Sequence, residues 1–403
     1  MNIESKIGQY IQSRTACIPL VASENAMSQS VRALCSSEIG ERYYVGSEAA
    51  WKYPRESLLG DIVSEVRQLA CDIFHAKQAT VAPLSGTQCV AAITLGLCKP
   101  GDVVMGLSPD EGGHWALRSL ADAQQCIFEP LPITDGGKVD AAKLAAKIKS
   151  KRPALVMVDA SHSLEALEPE TIRSVLPHDI PLFYDISHFM GLVPHQYLLD
   201  PFSRGVTALH GSTHKSLFGP QKGLIAFGPL ADDQLIRKIS FAAEKVLTSN
   251  CHLHHVAALG VCLQEYQHFG ERYASNVVQH ARTFARSLAG QRLDVMSAEQ
   301  AHTNSHQVII KLSNDAERVW SRLTNAGILT NLIRPPRQKS PGIRFGLAEV
   351  TRRGYTESEI ERIAGLVASL VNDTDRSGHA PIEVAQLAGQ PRRMKFCFEN
   401  ADG

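Results

Sequence analysis

Short apolar runs alternate with helical periodicity through the middle of the chain. Residues 103–107, 126–131, 154–158 and 181–184 are compact hydrophobic runs with strand character, and 115–123, 139–151 and 169–176 carry helical spacing between them. Pro169 suits the first turn of the last of these. Short apolar strands separated by helices predict a parallel sheet buried on both faces. Upstream, residues 1–25 read as an amphipathic helical arm leading into Ile18-Pro19-Leu20-Val21-Ala22-Ser23-Glu24-Asn25. A helix follows from Ser28, and another over 61–74 carries Ile62, Val66, Leu69, Ala70 and Ile73 on one face. An apolar helix over 89–97 is stopped by Lys99-Pro100-Gly101-Asp102. Two further strand-like runs, 206–210 and 224–227, flank a polar, glycine-containing stretch. Residues 231–290 predict long helices. The tail predicts a smaller α+β unit, with strands at 307–312 and 343–345, helices at 316–326 and 357–371, and a polar linker at 373–381. We therefore divide the chain into an arm (1–25), a large domain (26–270) and a small domain (271–403).

Composition narrows the function classes. The 403 residues are 44% hydrophobic and 20% charged, with 41 basic and 41 acidic side chains. A net charge of zero gives no electrostatic footprint for nucleic acid or an anionic membrane. The start, Met1 to Lys6, is polar and carries no secretion-signal core, and no apolar run approaches the ~18 residues of a membrane span. Nine scattered cysteines without a CxxC pair predict neither a disulfide framework nor a zinc ribbon, so a reducing, cytoplasmic setting is expected. The cluster Cys251-His252-Leu253-His254-His255 lacks a carboxylate-bearing zinc signature and reads as a packed helix, so no metal is expected.

Candidate chemistry sits in a few places. Lys215 lies in Ser212-Thr213-His214-Lys215-Ser216, followed by Gly219-Pro220-Gln221-Lys222-Gly223, between two apparent strands. A desolvated lysine amine there can form a Schiff base with an aldehyde cofactor; a solvated loop lysine is the plain alternative. Ser85-Gly86-Thr87-Gln88 opens a helix and forms either a phosphate cup or an ordinary N-cap. Asp185 ends a strand on the ligand side of an open α/β sheet, where it can pair with a pyridinium nitrogen or cap the next segment. Gly112-Gly113-His114 places an imidazole where the backbone can approach a flat ligand. Arg344, in Gly342-Ile343-Arg344-Phe345-Gly346, suits bidentate capture of a carboxylate or a structural ion pair.

Taken in order, phosphate cup, histidine, aspartate, lysine and late arginine resemble the serine hydroxymethyltransferase family over nearly the whole chain. The matching stretches are Val21-Ala22-Ser23-Glu24-Asn25, Ser85-Gly86-Thr87-Gln88, Gly112-Gly113-His114, Asp185-Ile186-Ser187-His188, Thr213-His214-Lys215-Ser216 and Gly342-Ile343-Arg344 with Thr351-Arg352-Arg353-Gly354. The resemblance implies a fold-type-I α/β enzyme dependent on pyridoxal 5'-phosphate, with a mostly parallel, mixed seven-stranded sheet and a small C-terminal α+β domain. It implies that Lys215 carries the cofactor, Asp185 holds its pyridinium, and His114 stacks on the ring. Ser85, Gly86 and Thr87 take the phosphate, with Ser212 and His214 beside them. His188 and Ser161 lie at the phenolate side. Ser23 and Arg344 bind the amino-acid carboxylate. A homodimer is implied, to whose shared sites Tyr43 and Tyr53 contribute.

The chain departs from that family where folate and protons are handled. Two residues beyond Tyr43, the position of the family's catalytic glutamate is Val45, and Glu48 has the wrong spacing. Valine does no acid–base work. The stretch Thr330-Asn331-Leu332-Ile333-Arg334-Pro335-Pro336 replaces a folate-contacting run, and Gln221-Lys222 replaces Arg-Gly. These changes are similar to the L-threonine transaldolase branch, as are Ser249-Asn250-Cys251-His252, Ser305-His306-Gln307-Val308 and Phe396-Cys397-Phe398-Glu399-Asn400. The expected reaction is loss of acetaldehyde from threonine and addition of a second aldehyde to the remaining glycine carbanion, as in natural-product β-hydroxy amino acid biosynthesis. The expected partners are an amino acid and an aldehyde rather than folate, with His114 or a water as the base. Three readings stand beside it. A serine or α-methylserine hydroxymethyltransferase or aldolase would act on related substrates. An aminotransferase would leave pyridoxamine phosphate, and a pseudo-enzyme would form no lysine adduct.

Overall fold

The computed structural model describes residues 2–45, 53, 55–296, 303–312, 315–375 and 378–400. In chain order the elements are α1 (Ile3–Thr15), β1 (Ile18–Pro19), α2 (Gln29–Cys35), α3 (Glu56–Phe74), β2 (Gln78–Thr80), α4 (Gly86–Leu97) and β3 (Val103–Gly106). Next come α5 (Trp115–Ala123), β4 (Ile127–Pro130), α6 (Ala141–Lys151), β5 (Leu155–Val158), α7 (Pro169–Arg173), β6 (Leu182–Asp185), β7 (Ala208–Ser212) and β8 (Gly223–Phe227). The remainder holds α8 (Asp233–Phe241), α9 (Leu253–Gly290), β9 (Gln307–Lys311), α10 (Ala316–Asn325), β10 (Ile328–Leu329), β11 (Asn331–Ile333), β12 (Gly342–Gly346), α11 (Ala348–Arg352), α12 (Glu357–Val371) and α13 (His379–Ala388).

Seven strands form the central sheet in the order β2-β8-β7-β6-β5-β3-β4. β8 runs antiparallel to both of its neighbours, and the strands from β7 to β4 are parallel. This is the mixed, mostly parallel sheet expected from the sequence. Its strands read as continuous apolar runs because both faces are covered. Val156, Val158, Leu182 and Tyr184 enter one core cluster, while the alternate residues Leu155, Met157 and Phe183 enter another. Side-chain caps fix the helix starts around the sheet. Ser85 accepts from Gln88 N–H at α4, Asp140 from Lys143 N–H at α6, and Asp232 from Leu235 N–H at α8.

A three-stranded antiparallel sheet, β11-β12-β9, forms a separate unit with α10, α12 and α13. Thr356 and Glu359 close a reciprocal capping box at α12. The single helix α9, 38 residues long, joins the two units. Its first turns, through Val278, pack in the large-sheet core, and Ala281, Phe284, Ala285 and Leu288 pack in the second. Residue 270 lies inside this helix.

Several local expectations are corrected. The helical arm ends at Thr15, and Ile18–Pro19 leaves it to pair in parallel with Ile328–Leu329. No residue of α1 is buried. Pro381 belongs to the first turn of α13 rather than to a linker, a place where its missing N–H costs nothing. The two-residue strands, and β2 and β11, carry too few residues to show a period.

Candidate active site

The functional stretches meet at the carboxyl end of the parallel strands. Lys215 follows β7 in a loop pinned on several sides. Thr213 N–H donates to the Lys222 carbonyl, and Thr213 Oγ1 donates to the Pro220 carbonyl at 2.6 Å. From the N-terminal segment, Asn25 Nδ2 donates to the Lys215 carbonyl at 2.7 Å, and Tyr273 Oη donates to the Ser216 carbonyl at 2.6 Å. The backbone of the loop is thus fixed while its ammonium makes no ion pair among the described residues. Burial draws the Lys215 amine below its ordinary value, with Asp185 opposing this and Arg344 adding to it.

Asp185 terminates β6. One carboxylate oxygen accepts from Ser187 N–H at 2.7 Å, so the local cap is present. The other lies 3.9 Å from Nδ1 of His210, which is fully buried and has no hydrogen-bond partner. Ser85 likewise serves as the cap of α4. The Gly86 beside it touches the opposite strand end: a Cβ there would stand 2.5 Å from Ser212 Oγ and 3.0 Å from Ser187 Oγ. Ser85, Gly86, Thr87, Ser187 and Ser212 therefore form one hydroxyl-lined cradle at a helix N-terminus, which fits a phosphate group.

His114 is the N-cap of α5 and accepts from Ala116 N–H at 3.2 Å. Gly113 is required beneath it, because a Cβ would come within 2.2 Å of the Leu107 carbonyl oxygen. Burial lowers the affinity of His114 for a proton. His188 is buried, its ring stacked on that of His306 at 5.8 Å and 13°. Burial holds His188 well below the ordinary histidine range, with Lys215 and Arg344 adding to the effect. His214 is pushed down to about 4 by burial, and its Nδ1 is unpartnered.

Arg344, at the centre of β12, is 6% exposed. Among the described residues it makes no ion pair. Instead its terminal nitrogens donate to the Ser161 carbonyl at 3.2 Å and to Asn331 Oδ1 at 3.0 Å, and Nε has no partner. Burial draws it down to about 10. A buried guanidinium without a carboxylate is a site for an anion. Asn331 Oδ1 also accepts from Ala22 N–H at 3.2 Å, which brings Ser23 alongside. Ser161 enters the site through its carbonyl, which also accepts from Gln307 Nε2 at 3.1 Å.

Sequence reasoning did not select three contributors. His162, pushed down to about 4 by burial, Arg344 and His114, lies within the electrostatic reach of the site. His306, fully buried, is drawn to about 3. Asn331 was read only as part of an altered run. Their signal was the adjacency of His162 to Ser161 and the presence of His306 and Asn331 within the runs 305–308 and 330–336, but a contact across the domains is invisible in one dimension. Tyr43 and Tyr53 pair with each other at 5.2 Å, each 41% exposed. Val45 N–H and Tyr53 N–H both donate to the buried Glu56 carboxylate. Glu48, with Gly46, Trp51, Lys52 and Pro54, lies outside the described residues. His252 precedes α9 with a positive φ instead of lying in the helix, and its ring is 6.2 Å from that of His255.

The residues present fit pyridoxal phosphate: a hydroxyl cradle closed to a side chain at Gly86, a strand-end aspartate, and a lysine and a buried guanidinium that make no ion pair among the described residues. The serine hydroxymethyltransferase family model matches residues 2–367. The chain is similar to the serine hydroxymethyltransferase of Methanopyrus kandleri, 31% identical over 96% of this chain and 92% of the relative. It is also similar to that of Methanocaldococcus jannaschii, 30% identical over 96% and 93%. Its fold matches the crystal structure of the L-threonine transaldolase of Pseudomonas fluorescens in its internal aldimine state. That match has a TM-score of 0.92 and 30% identity, covering 99% of this chain and 93% of that one. The chain belongs to the serine hydroxymethyltransferase family, as a fold-type-I, pyridoxal-phosphate-dependent transferase.

Proposed function

We propose that the enzyme is a threonine transaldolase: L-threonine plus an aldehyde gives acetaldehyde plus a new β-hydroxy-α-amino acid. The Cα–Cβ bond of threonine breaks as the β-hydroxyl loses its proton and acetaldehyde leaves. A new Cα–C bond forms to the second aldehyde, and a proton returns to the new alkoxide, so the reaction consumes no oxidant or reductant. Bound pyridoxal phosphate supplies the electron sink for the bond that breaks. Arg344 grips the carboxylate, with Ser23 beside it, and orients the Cα–Cβ bond for cleavage. Lys215 would hold the cofactor covalently, Asp185 would pair with its pyridine nitrogen, and Ser85, Gly86, Thr87 and Ser212, with His214 beside them, would hold its phosphate. His114 would stack on its ring, and His188 and Ser161 would lie on its phenolate side.

The observation that carries this reading is the make-up of the proton-handling groups. Among the described residues Asp185 is the acid that acts on Lys215, and the other titratable groups around Lys215 and Arg344 are the histidines His114, His162, His188, His214 and His306. The glutamate position of hydroxymethyl transfer is Val45. The likeness to the Pseudomonas transaldolase over nearly the whole chain supports the same reading. A homodimer belongs to it, because Ile3, Ile7, Tyr10 and Ile11 form an apolar stripe on α1, 53–76% exposed. The setting we propose is cytoplasmic, natural-product biosynthesis.

The family model and the archaeal relatives favour serine hydroxymethyl transfer as the second reading. One experiment separates them. With threonine and a panel of aldehydes, acetaldehyde and a new amino acid should form without tetrahydrofolate. Folate-dependent serine cleavage with no acetaldehyde from threonine would instead establish the second reading.

A further inference from the structure

Asp159 is one residue beyond the end of β5. In the parallel register Val158 stands opposite Tyr184, so the next pair outward is Asp159 and Asp185. Neighbouring parallel strands lie about 4.8 Å apart, and matched residues send their side chains to the same face. Two acids thus leave the carboxyl end of the sheet side by side. Asp159 is 3% exposed, and neither of its carboxyl oxygens has a hydrogen-bond partner. It makes no ion pair among the described residues.

Among the described residues, no cation acts on it. From β6 comes Asp185. From the start of α5 comes His114, whose backbone N–H donates to the Asp159 main-chain carbonyl at 3.1 Å. Beyond Asp185 stand the buried, unpartnered His210 of β7 and then Lys215, and both act on Asp185. A buried carboxylate with no partner gives up its charge, and two carboxylates in one site do not both ionise. Burial, with the Asp185 charge added, pushes Asp159 well above the ordinary carboxylate range. The N–H groups of Leu107 and His114 oppose this but fall short of hydrogen-bond geometry.

We propose that Asp159 stands as a neutral carboxylic acid beside Asp185, so that the pair presents one negative charge, on Asp185, to the pyridine nitrogen of the cofactor. Asp159 is a positioning residue. It sets the charge beneath the ring at a single carboxylate, and a second charge there would raise the pH at which the lysine-bound cofactor loses its proton. The substitution Asp159→Asn keeps the shape and is neutral at every pH.

The test uses the holoenzyme. The visible band of the lysine-bound cofactor is titrated against pH in the wild type and in D159N, and the two midpoints should agree within a few tenths of a unit. A fall of a unit or more in D159N, as expected on removing a full negative charge, would overturn the proposal. A second measurement needs no substitution. Wild-type holoenzyme carrying isotope-labelled aspartate should show the infrared C=O stretch of a protonated aspartate at neutral pH, and its absence would equally overturn the proposal.

Discussion

On the proposed reading, Arg344 shows how burial turns a common side chain into a receptor. Its guanidinium is held by an uncharged amide and a carbonyl, so it keeps its full charge for a ligand. Arg344→Ala should raise KM for the amino acid by roughly 100-fold, from the ~3 kcal/mol typical of a lost buried charge contact, with a smaller fall in kcat. Steady-state kinetics on threonine check this. Gly86→Ala places a methyl group against Ser212 Oγ. An overpacking cost of about 1–3 kcal/mol should weaken retention of the cofactor by roughly 5- to 150-fold, read by dialysis and absorbance. His306 adds a pH term. In the folded protein it is drawn to about 3, while unfolded it titrates near the ordinary histidine value. Below about pH 6.5 the unfolded chain binds the extra proton, so stability falls as pH drops from there toward 3. The slope from this residue approaches about 1.4 kcal/mol per pH unit. Denaturant unfolding at several pH values should show a shallower dependence in His306→Asn.

At the scale of elements, α9 and the tail carry the assembly. Arg352, after β12, donates to Glu265 of α9 at 2.7 Å, with both side chains fully buried. The guanidinium lies 3.7 Å over the Phe218 ring, just beyond the Lys215 loop. It also holds the Lys395 and Phe396 carbonyls. Removing one partner leaves a buried charge, so Arg352→Met should cost about 3–5 kcal/mol of stability, measured by denaturant unfolding of the holoenzyme. Most of the large-sheet strands and helices were legible from apolar runs and caps. Helix α5 begins and ends where its apolar spacing does, and so does α12, because local periodicity and a capping residue agree there. The pairings β1 with β10 and β11 with β12 were not legible. β1 draws its stability from a partner about 310 positions away, and β11 from one 9–13 positions away, and runs of two or three residues are too short to encode either.

For the whole molecule, the apolar stripe on α1 and the Tyr43–Tyr53 pair are exposed among the described residues. In the proposed homodimer, Ile7→Glu combined with Ile11→Glu should shift the protein from dimer to monomer in size-exclusion chromatography with light scattering, and activity should fall with it. The sequence by itself determined the α/β class and the dependence on pyridoxal phosphate, and it singled out Lys215, Asp185, Arg344 and Ser85 as candidates. Each of these rests on short motifs whose chemistry is set by adjacent residues. Only the tertiary structure decided that Asn331 and Ser161 hold Arg344, that His162 and His306 join the site, and that Asp159 stands beside Asp185. Those relations depend on strand register and on two cores packed along one helix. Pairing of that kind depends on complementarity between distant segments, and a linear pattern carries no record of which distant segments meet.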